Sequence, residues 1–113
     1  MEEEVARHTS PDKIVDTVII QKNCGATTST SDLVFIVPHG DKVQDYSPVF
    51  NADHVKDLEV EWVDNKELEI RYREARIFDY MNFWHSKYID NFKYQVKVHE
   101  FSKSFYRSQT PRK

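Results

Sequence analysis

The sequence contains very little cysteine and glycine, with one cysteine and two glycines among 113 residues. A single cysteine excludes an internal disulfide, and a domain without disulfides is typical of a reducing compartment. So few glycines also exclude a glycine-rich loop that cradles phosphate groups. A chain of this length can bury enough surface to support a single core. The scarcity therefore predicts a small cytoplasmic domain whose stability comes from its hydrophobic core.

An excess of charge and a long apolar run are missing as well. Sixteen basic and nineteen acidic side chains leave a net charge of −3, so no overall positive field attracts a nucleic acid. The apolar runs are far shorter than the roughly 20 residues that span a bilayer, and the acidic start differs from the basic start of a secretory signal. We therefore expect no nucleic-acid partner, no transmembrane segment and a cytoplasmic location. An exported or periplasmic domain whose leader has been removed is the alternative.

Three regions differ in their pattern along the chain. Residues 1–9 lack hydrophobic periodicity and are predicted to be a disordered N-terminus. Residues 10–102 alternate apolar runs with turn residues, which indicates a single β-rich domain. Residues 103–113 carry four basic residues and no acidic ones, and they are predicted to be a basic flexible tail.

The β-rich domain contains several segments with the composition of strands. Residues 14–21 and 33–37 are rich in β-branched side chains in both phases, which is typical of strands covered on both faces. Other strands are expected near 49–50, in a hairpin over 58–73 and at 94–101. The sequence therefore predicts a mainly β fold, a single antiparallel meander sheet of about five strands.

The segment 75–90 leaves two structures open. Ile77, Met81, Trp84 and Tyr88 follow one another at spacings of four, three and four, which is typical of one face of a helix. The start of the same segment, from Ala75, equally continues the preceding strand. One short helix within 75–90 would make the fold α+β, whereas an extended segment with a loop would keep it mainly β.

The hairpin over 58–73 shows the clearest alternation of apolar and charged residues. Pairing Glu61 with Arg71 and Glu59 with Arg73 joins opposite charges across the strands, which favours that register. A shift by two residues places Glu61 opposite Glu69, but it shortens the connecting loop. We predict the first register.

Aromatic residues are concentrated between Phe78 and Tyr94. One buried face cannot enclose all of them, and exposed tyrosine and tryptophan are typical of binding interfaces. We therefore expect Tyr80, Phe83, Trp84 and Tyr88 to form an interface. The leading hypothesis is a non-enzymatic protein that binds either a second copy of itself, as a homo-oligomer, or another protein, without a cofactor.

The alternative site is the polar loop from Cys24 to Ser31. Its candidate residues are Cys24, Gly25, Thr27 and Thr28. A thiolate in a turn meets backbone amides and can act as a nucleophile, while hydroxyl groups and amides can bind an anion. The loop would then be a small-ligand or hydrolytic site. The five histidines lack the spacings of metal ligands, so no metal site is predicted.

The sequence also contains four short motifs: the turn at Ser10-Pro11-Asp12-Lys13, the β-rich Val18-Ile19-Ile20, the loop from Cys24 to Thr28 with Val34 beyond it, and Trp62 with Leu68, Ile70 and Tyr72. Together they resemble a family of small uncharacterised bacterial proteins that are often exported or lipid-anchored. The family shares a Ser-Pro-Asp-Gly-Lys turn and a Cys-Gly-Ala-Thr-Thr loop, and this chain lacks the glycine before Lys13. The resemblance, which covers roughly residues 10–78, implies a bacterial origin and a compact β-rich domain; it implies no reaction.

Overall fold

The computed structural model of the protein describes residues 2–23, 30–44 and 46–102, and for Glu2 only the backbone. Nine strands and one 3-10 turn occur in this part of the chain. They are β1 (Glu2–Thr9), β2 (Val15–Asn23), β3 (Thr30–Pro38), β4 (Phe50–Lys56), β5 (Glu59–Asp64), β6 (Glu67–Tyr72), β7 (Glu74–Tyr80), β8 (Phe83–Trp84), the turn Asp90–Phe92 and β9 (Val96–Ser102). The predicted mainly β fold is confirmed.

The strands form two sheets rather than a single meander. The first is a five-stranded antiparallel sheet in the order β1-β2-β3-β4-β7, and the second is a four-stranded sheet in the order β5-β6-β9-β8. Within the second sheet β6 and β9 are parallel. Parallel neighbours require a crossover connection, and here the chain crosses by way of β7 in the first sheet. The second sheet therefore depends on the pairing of β6 with β9, two distant segments, which no local pattern in the sequence predicts.

The main core lies between the two sheets. Alternate residues of each sheet point into it: Val15, Ile19, Val34, Ile36 and Phe50 from the first, and Leu68, Ile70, Trp84, Val96 and Val98 from the second. A smaller core lies on the opposite face of the first sheet and consists of Val18, Ile20, Phe35 and Val37. Tyr46 packs against both clusters. The central strands β2 and β3 are thus covered on both faces, as their composition predicted.

The register of the β5–β6 hairpin differs from the predicted one. Glu59 lies opposite Arg71 and Glu61 lies opposite Glu69, so the strands are shifted by two residues and the connection is only Asn65-Lys66. Arg71 explains why this register is tolerated. Its guanidinium lies 2.7 Å from Glu61, 2.8 Å from Glu69 and 3.4 Å from Glu59, so one cation offsets the repulsion of the facing carboxylates.

One further prediction is wrong, and one open question is settled. Glu2–Thr9 form β1, which pairs antiparallel with β2, because Ala6 packs against the main core and the backbone completes the sheet edge even though periodicity is weak. Of the two structures left open for 75–90, the extended one with a loop is found: β7 and β8 lie in this segment, and a loop follows from residue 85. Met81 and Tyr88 are exposed whereas Trp84 is buried, so the helical spacing does not correspond to one buried face. The predicted tail, residues 103–113, lies outside the described residues.

A polar cluster at the turn before β2 joins the two sheets. Asp12 accepts hydrogen bonds from the hydroxyl of Ser10 and from that of Tyr94, both at 2.6 Å. Tyr94 is only 6% exposed and precedes β9 in the second sheet. The turn at Ser10-Pro11-Asp12-Lys13 therefore acts as a clamp between the two sheets.

Candidate binding surface

The short strand β8 lies at one edge of the second sheet and separates two aromatic side chains by alternation. Trp84 pairs with Val96 and points into the core, where it is 5% exposed, while Phe83 pairs with Lys97 and points outward, where it is 43% exposed. Successive residues of a strand face opposite sides of the sheet. The strand thus presents one ring to solvent because it buries the other.

Phe83, His85 and Phe92 form a contiguous group of rings that we call the aromatic surface. The Phe83 and His85 ring centroids are 5.2 Å apart at an interplanar angle of 80°, and those of His85 and Phe92 are 4.9 Å apart at 62°. Such edge-to-face arrangements are favourable for aromatic pairs. Phe92 is 46% exposed. The arrangement leaves a patch of ordered carbon surface in contact with water.

A strained turn holds Phe92 in this position. Asp90, Asn91 and Phe92 have φ values of 52°, 48° and 70°. This left-handed conformation costs a residue such as Phe92 roughly 1–2 kcal/mol. The buried Ser86 anchors the turn: its carbonyl accepts hydrogen bonds from the amides of Ile89 and Phe92 at 3.2 and 3.0 Å. Strain of this kind persists only where surrounding contacts impose it, and it is frequent at functional sites.

Lysines slightly outnumber carboxylates in the segments that carry the aromatic surface. Residues 81–97 contain three lysines and one aspartate, a difference of two positive charges. Lys66 and Lys97 line a shallow depression beside Phe83, together with the acidic Asp64 and Glu67. Counting both sets, four lysines face three carboxylates, and Glu67 is also 3.7 Å from His99. The surface is therefore apolar in its centre and weakly basic around it.

The predicted interface residues have different environments. Tyr88 is 68% exposed, next to the ammonium group of Lys87 at 5.2 Å from its ring centroid. Tyr80 is half-buried, and its hydroxyl donates a hydrogen bond to the carbonyl of Val98; burial raises the pKa of Tyr80 above its usual value. The prediction that Trp84 is exposed is wrong. Phe83 and Tyr88 are thus the two members of the predicted set that are exposed.

Two residues of the aromatic surface, His85 and Phe92, were missing from the predicted interface. Phe92 lies within the aromatic segment from Phe78 to Tyr94 but was not assigned to the interface. Its position depends on a left-handed turn, and the pair Asp90-Asn91 was the available signal, because aspartate and asparagine tolerate left-handed backbone better than other side chains.

A groove lies beside β5, where the edges of the two sheets meet. It has a volume of about 630 Å³. We call it the β5 groove; its apolar lining consists of Ala6, Ile19, Leu58, Val60 and Trp62, and its polar lining of His8, Thr9, Glu59, Glu61 and Arg71. The indole nitrogen of Trp62 donates a hydrogen bond to the carbonyl of His8 at 3.1 Å. The only polar atom of Trp62 is thereby satisfied within the fold, and its ring offers carbon surface to the groove.

The alternative site falls mostly on undescribed residues. Cys24, Gly25, Thr27 and Thr28 lie outside the described residues, and β3 begins at Thr30. Ser31 lies opposite Asp53 on β4. Arg76 holds both oxygens of Asp53 at 2.8 and 2.6 Å, and this hydrogen bonding lowers the pKa of Asp53 far below its usual value. Asp53 is therefore an ionised partner of Arg76 and unsuited to act as a general base.

Asp16 forms the most deeply buried ionic network among the described residues. It is 1% exposed and accepts hydrogen bonds from Arg7 at 2.9 Å, from the His39 ring at 2.8 Å and from the Gly40 amide at 2.9 Å. These partners belong to β1 and to the turn after β3. The network thus ties three consecutive segments together, and its geometry is that of a structural carboxylate.

The described part of the chain contains no group of three or more histidine, cysteine, aspartate or glutamate residues arranged to hold a metal ion. None of its helical segments has the length and apolar character needed to cross a membrane. Compared with models of protein families, with curated proteins and with solved structures, the chain gives no match.

Proposed function

We propose that this protein acts by binding rather than by catalysis, and that it associates with a second copy of itself through the aromatic surface. The observation that carries the proposal is the group formed by Phe83, His85 and Phe92, ordered by ring contacts and a strained turn yet open to solvent. Contiguous exposed aromatic surface is typical of protein interaction sites.

Covering the exposed rings of the aromatic surface in an interface should be energetically favourable. The two phenylalanines are nearly half exposed, so covering them removes apolar area from water at about 25 cal/mol per Å². Because the rings are already held in place, little side-chain entropy is lost on association. Aromatic residues near the centre of an interface are the ones that dominate binding energy.

The double variant Phe83→Ser/Phe92→Ser tests the proposal by light scattering coupled to size exclusion. We expect the wild type to elute as a dimer or larger assembly and the double variant as a monomer. The variant loses both ring contacts with His85, worth about 0.5–1.5 kcal/mol each, so it should be less stable than the wild type but still folded, which circular dichroism checks. Phe78→Ser is a matched control, because Phe78 is 57% exposed on β7 of the other sheet, and it should leave the assembly unchanged.

A wild type that remains monomeric over the accessible concentration range would overturn the proposal. So would an assembly that survives in the folded double variant, since the aromatic surface would then lie outside the interface.

A further inference from the structure

We infer that the aromatic surface of one copy docks into the β5 groove of the next, so that copies associate head to tail. This inference rests on the proposed function, because it names the partner surface for the same rings. The two surfaces lie at opposite edges of the second sheet, since β8 and β5 are its two edge strands. Both can therefore be engaged at the same time in one molecule.

The shape and chemistry of the β5 groove suit aromatic rings. The β5 groove is open to solvent, and its volume of about 630 Å³ is comparable with that of pockets that bind organic ligands, roughly 300–1,000 Å³. Trp62, Val60 and Leu58 supply its apolar side. Since the indole N–H is already bonded to the carbonyl of His8, an entering phenyl ring displaces water without leaving that donor unpaired.

The charges of the two surfaces are complementary. Glu59 and Glu61 line the β5 groove, and together with Glu69 they surround the guanidinium of Arg71, so carboxylates predominate at this rim. Near the aromatic surface four lysines stand against three carboxylates, a difference of one positive charge, and Lys93 and Lys97 lie on either side of Tyr94 in the sequence. Opposite charges at the rim of an interface accelerate encounter and select the partner.

A second copy is favoured as occupant because the same chain carries both halves of this match. Two different surfaces in contact make a heterologous interface, which generates a ring if the rotation closes and an open filament if it does not. A symmetric dimer through two aromatic surfaces would instead bring the lysines of both copies together.

Charge-reversal variants test the inference by sedimentation velocity. The groove variant is Glu59→Lys/Glu61→Lys, and the surface variant is Lys93→Glu/Lys97→Glu. Each variant alone should self-associate at least about tenfold more weakly than the wild type, because like charges then meet across the interface. An equimolar mixture of the two should restore assembly, since each reversed surface finds a surface of opposite charge on the other variant.

Two controls separate the interface from general effects of charge and folding. Lys42→Glu/Lys56→Glu makes the same change in net charge as the surface variant, on exposed side chains of the first sheet and of the loop after β3, and it should assemble like the wild type. The neutral groove variant Glu59→Gln/Glu61→Gln places no new cation beside Arg71, so it tests the groove if the reversed variant fails to fold; it should weaken assembly by a smaller factor.

The outcomes distinguish the inference from the function on which it rests. If both folded groove variants assemble like the wild type while Phe83→Ser/Phe92→Ser is monomeric, the head-to-tail arrangement is wrong and self-association through the aromatic surface stands. If the mixture of reversed variants stays monomeric, the arrangement is also wrong. A monomeric wild type, or a Phe83→Ser/Phe92→Ser variant that still assembles, overturns the proposed function itself.

Discussion

At the scale of single residues, Asp16 and Asp32 place two buried carboxyl groups in opposite environments. Burial raises the pKa of Asp16, but hydrogen bonds from Gly40, His39 and Arg7 together hold it below the usual value. Asp32 is 7% exposed, and no described residue hydrogen-bonds to its Oδ1 atom. Burial therefore raises the pKa of Asp32, opposed by a hydrogen bond from Gln21. One carboxylate stabilises the folded state and the other opposes it.

We predict that Asp16→Asn lowers the free energy of unfolding by about 2 kcal/mol at pH 7, because the charged acceptor of hydrogen bonds from Arg7, His39 and Gly40 is lost. Because the pKa of Asp16 is lowered by folding, its contribution is complete above the pKa of the unfolded chain, about 3.9. The contribution disappears as the pH falls through the lower folded value. Urea denaturation from pH 7 to pH 3 should therefore show the wild type and the variant converging in acid.

Asp32→Asn is the contrasting variant, because it should raise the free energy of unfolding where Asp16→Asn lowers it. Its raised pKa means that ionisation of Asp32 destabilises the fold as the pH rises above about 3.9. The variant should be more stable than the wild type by about 1 kcal/mol at pH 7, with the gain vanishing in acid. Parallel pH profiles for both variants would contradict the assignment of the two environments.

Lys13 has a backbone conformation that is unusual for a residue with a side chain. Its φ of 62° lies in the left-handed region that favours glycine. The amide of Lys13 donates a hydrogen bond to the carbonyl of Ser10 at 2.9 Å. This bond closes the turn and keeps a residue with a Cβ in a conformation that glycine adopts most easily.

At the scale of elements, the turn before β2 is stabilised by contacts with the other sheet. The Asp12 carboxylate accepts from Ser10 in its own turn and from Tyr94 before β9. Burial and the hydrogen bond to Asp12 raise the pKa of Tyr94 above its usual value. The ammonium group of Lys66, in the β5–β6 turn, lies 4.8 Å from the centroid of the Tyr94 ring. Three loops thus meet at one tyrosine.

We predict that Tyr94→Phe lowers the free energy of unfolding by about 2 kcal/mol, because the variant loses a hydrogen bond to a charged acceptor. Asp12→Asn should be destabilising as well, and the double variant should cost less than the sum, with a coupling energy of about 1 kcal/mol. Thermal and urea unfolding measure these values. Tyr88→Phe is the control, since Tyr88 is 68% exposed, and its stability should be unchanged. Additive effects of Tyr94→Phe and Asp12→Asn would rule out the clamp.

At the scale of the whole molecule, the two sheets share one core, and Trp84 is part of it. We predict that Trp84→Ala lowers the free energy of unfolding by about 3–5 kcal/mol, as truncation of a large buried ring does. Phe83→Ala changes the neighbouring residue on the exposed side of β8 and should cost far less. Chemical denaturation measures both. A stable Trp84→Ala variant that merely loses assembly would return Trp84 to the interface and contradict its burial.

The distribution of charge also belongs to the whole molecule. Three carboxylates, those of Glu59, Glu61 and Glu69, lie around the single cation of Arg71 near β5. The small net charge of −3 conceals this local excess of acid, which arises only when β5 and β6 pair. Composition argued against a nucleic-acid partner but could not reveal where the acidic side chains gather.

The sequence by itself determined the secondary structure of the central strands. In β2 and β3 the apolar side chains occupy both phases, because both faces are covered, and in β5 and β6 they alternate, because one face is wet. These patterns follow from which residues are buried, because buried positions carry apolar side chains and exposed positions carry polar ones. The strands of both pairs, and their order along the chain, could therefore be predicted from the residues alone.

Only the tertiary structure decided which strands are neighbours and which aromatic rings reach solvent. The parallel pairing of β6 with β9 joins residues about 30 positions apart, and β1 is ordered by the edge of β2 rather than by its own pattern. Trp84 and Phe83 are adjacent aromatic residues of similar character. Trp84 is buried and Phe83 is exposed because of the face of β8 that meets the core. Long-range packing makes that choice, and local composition does not encode it.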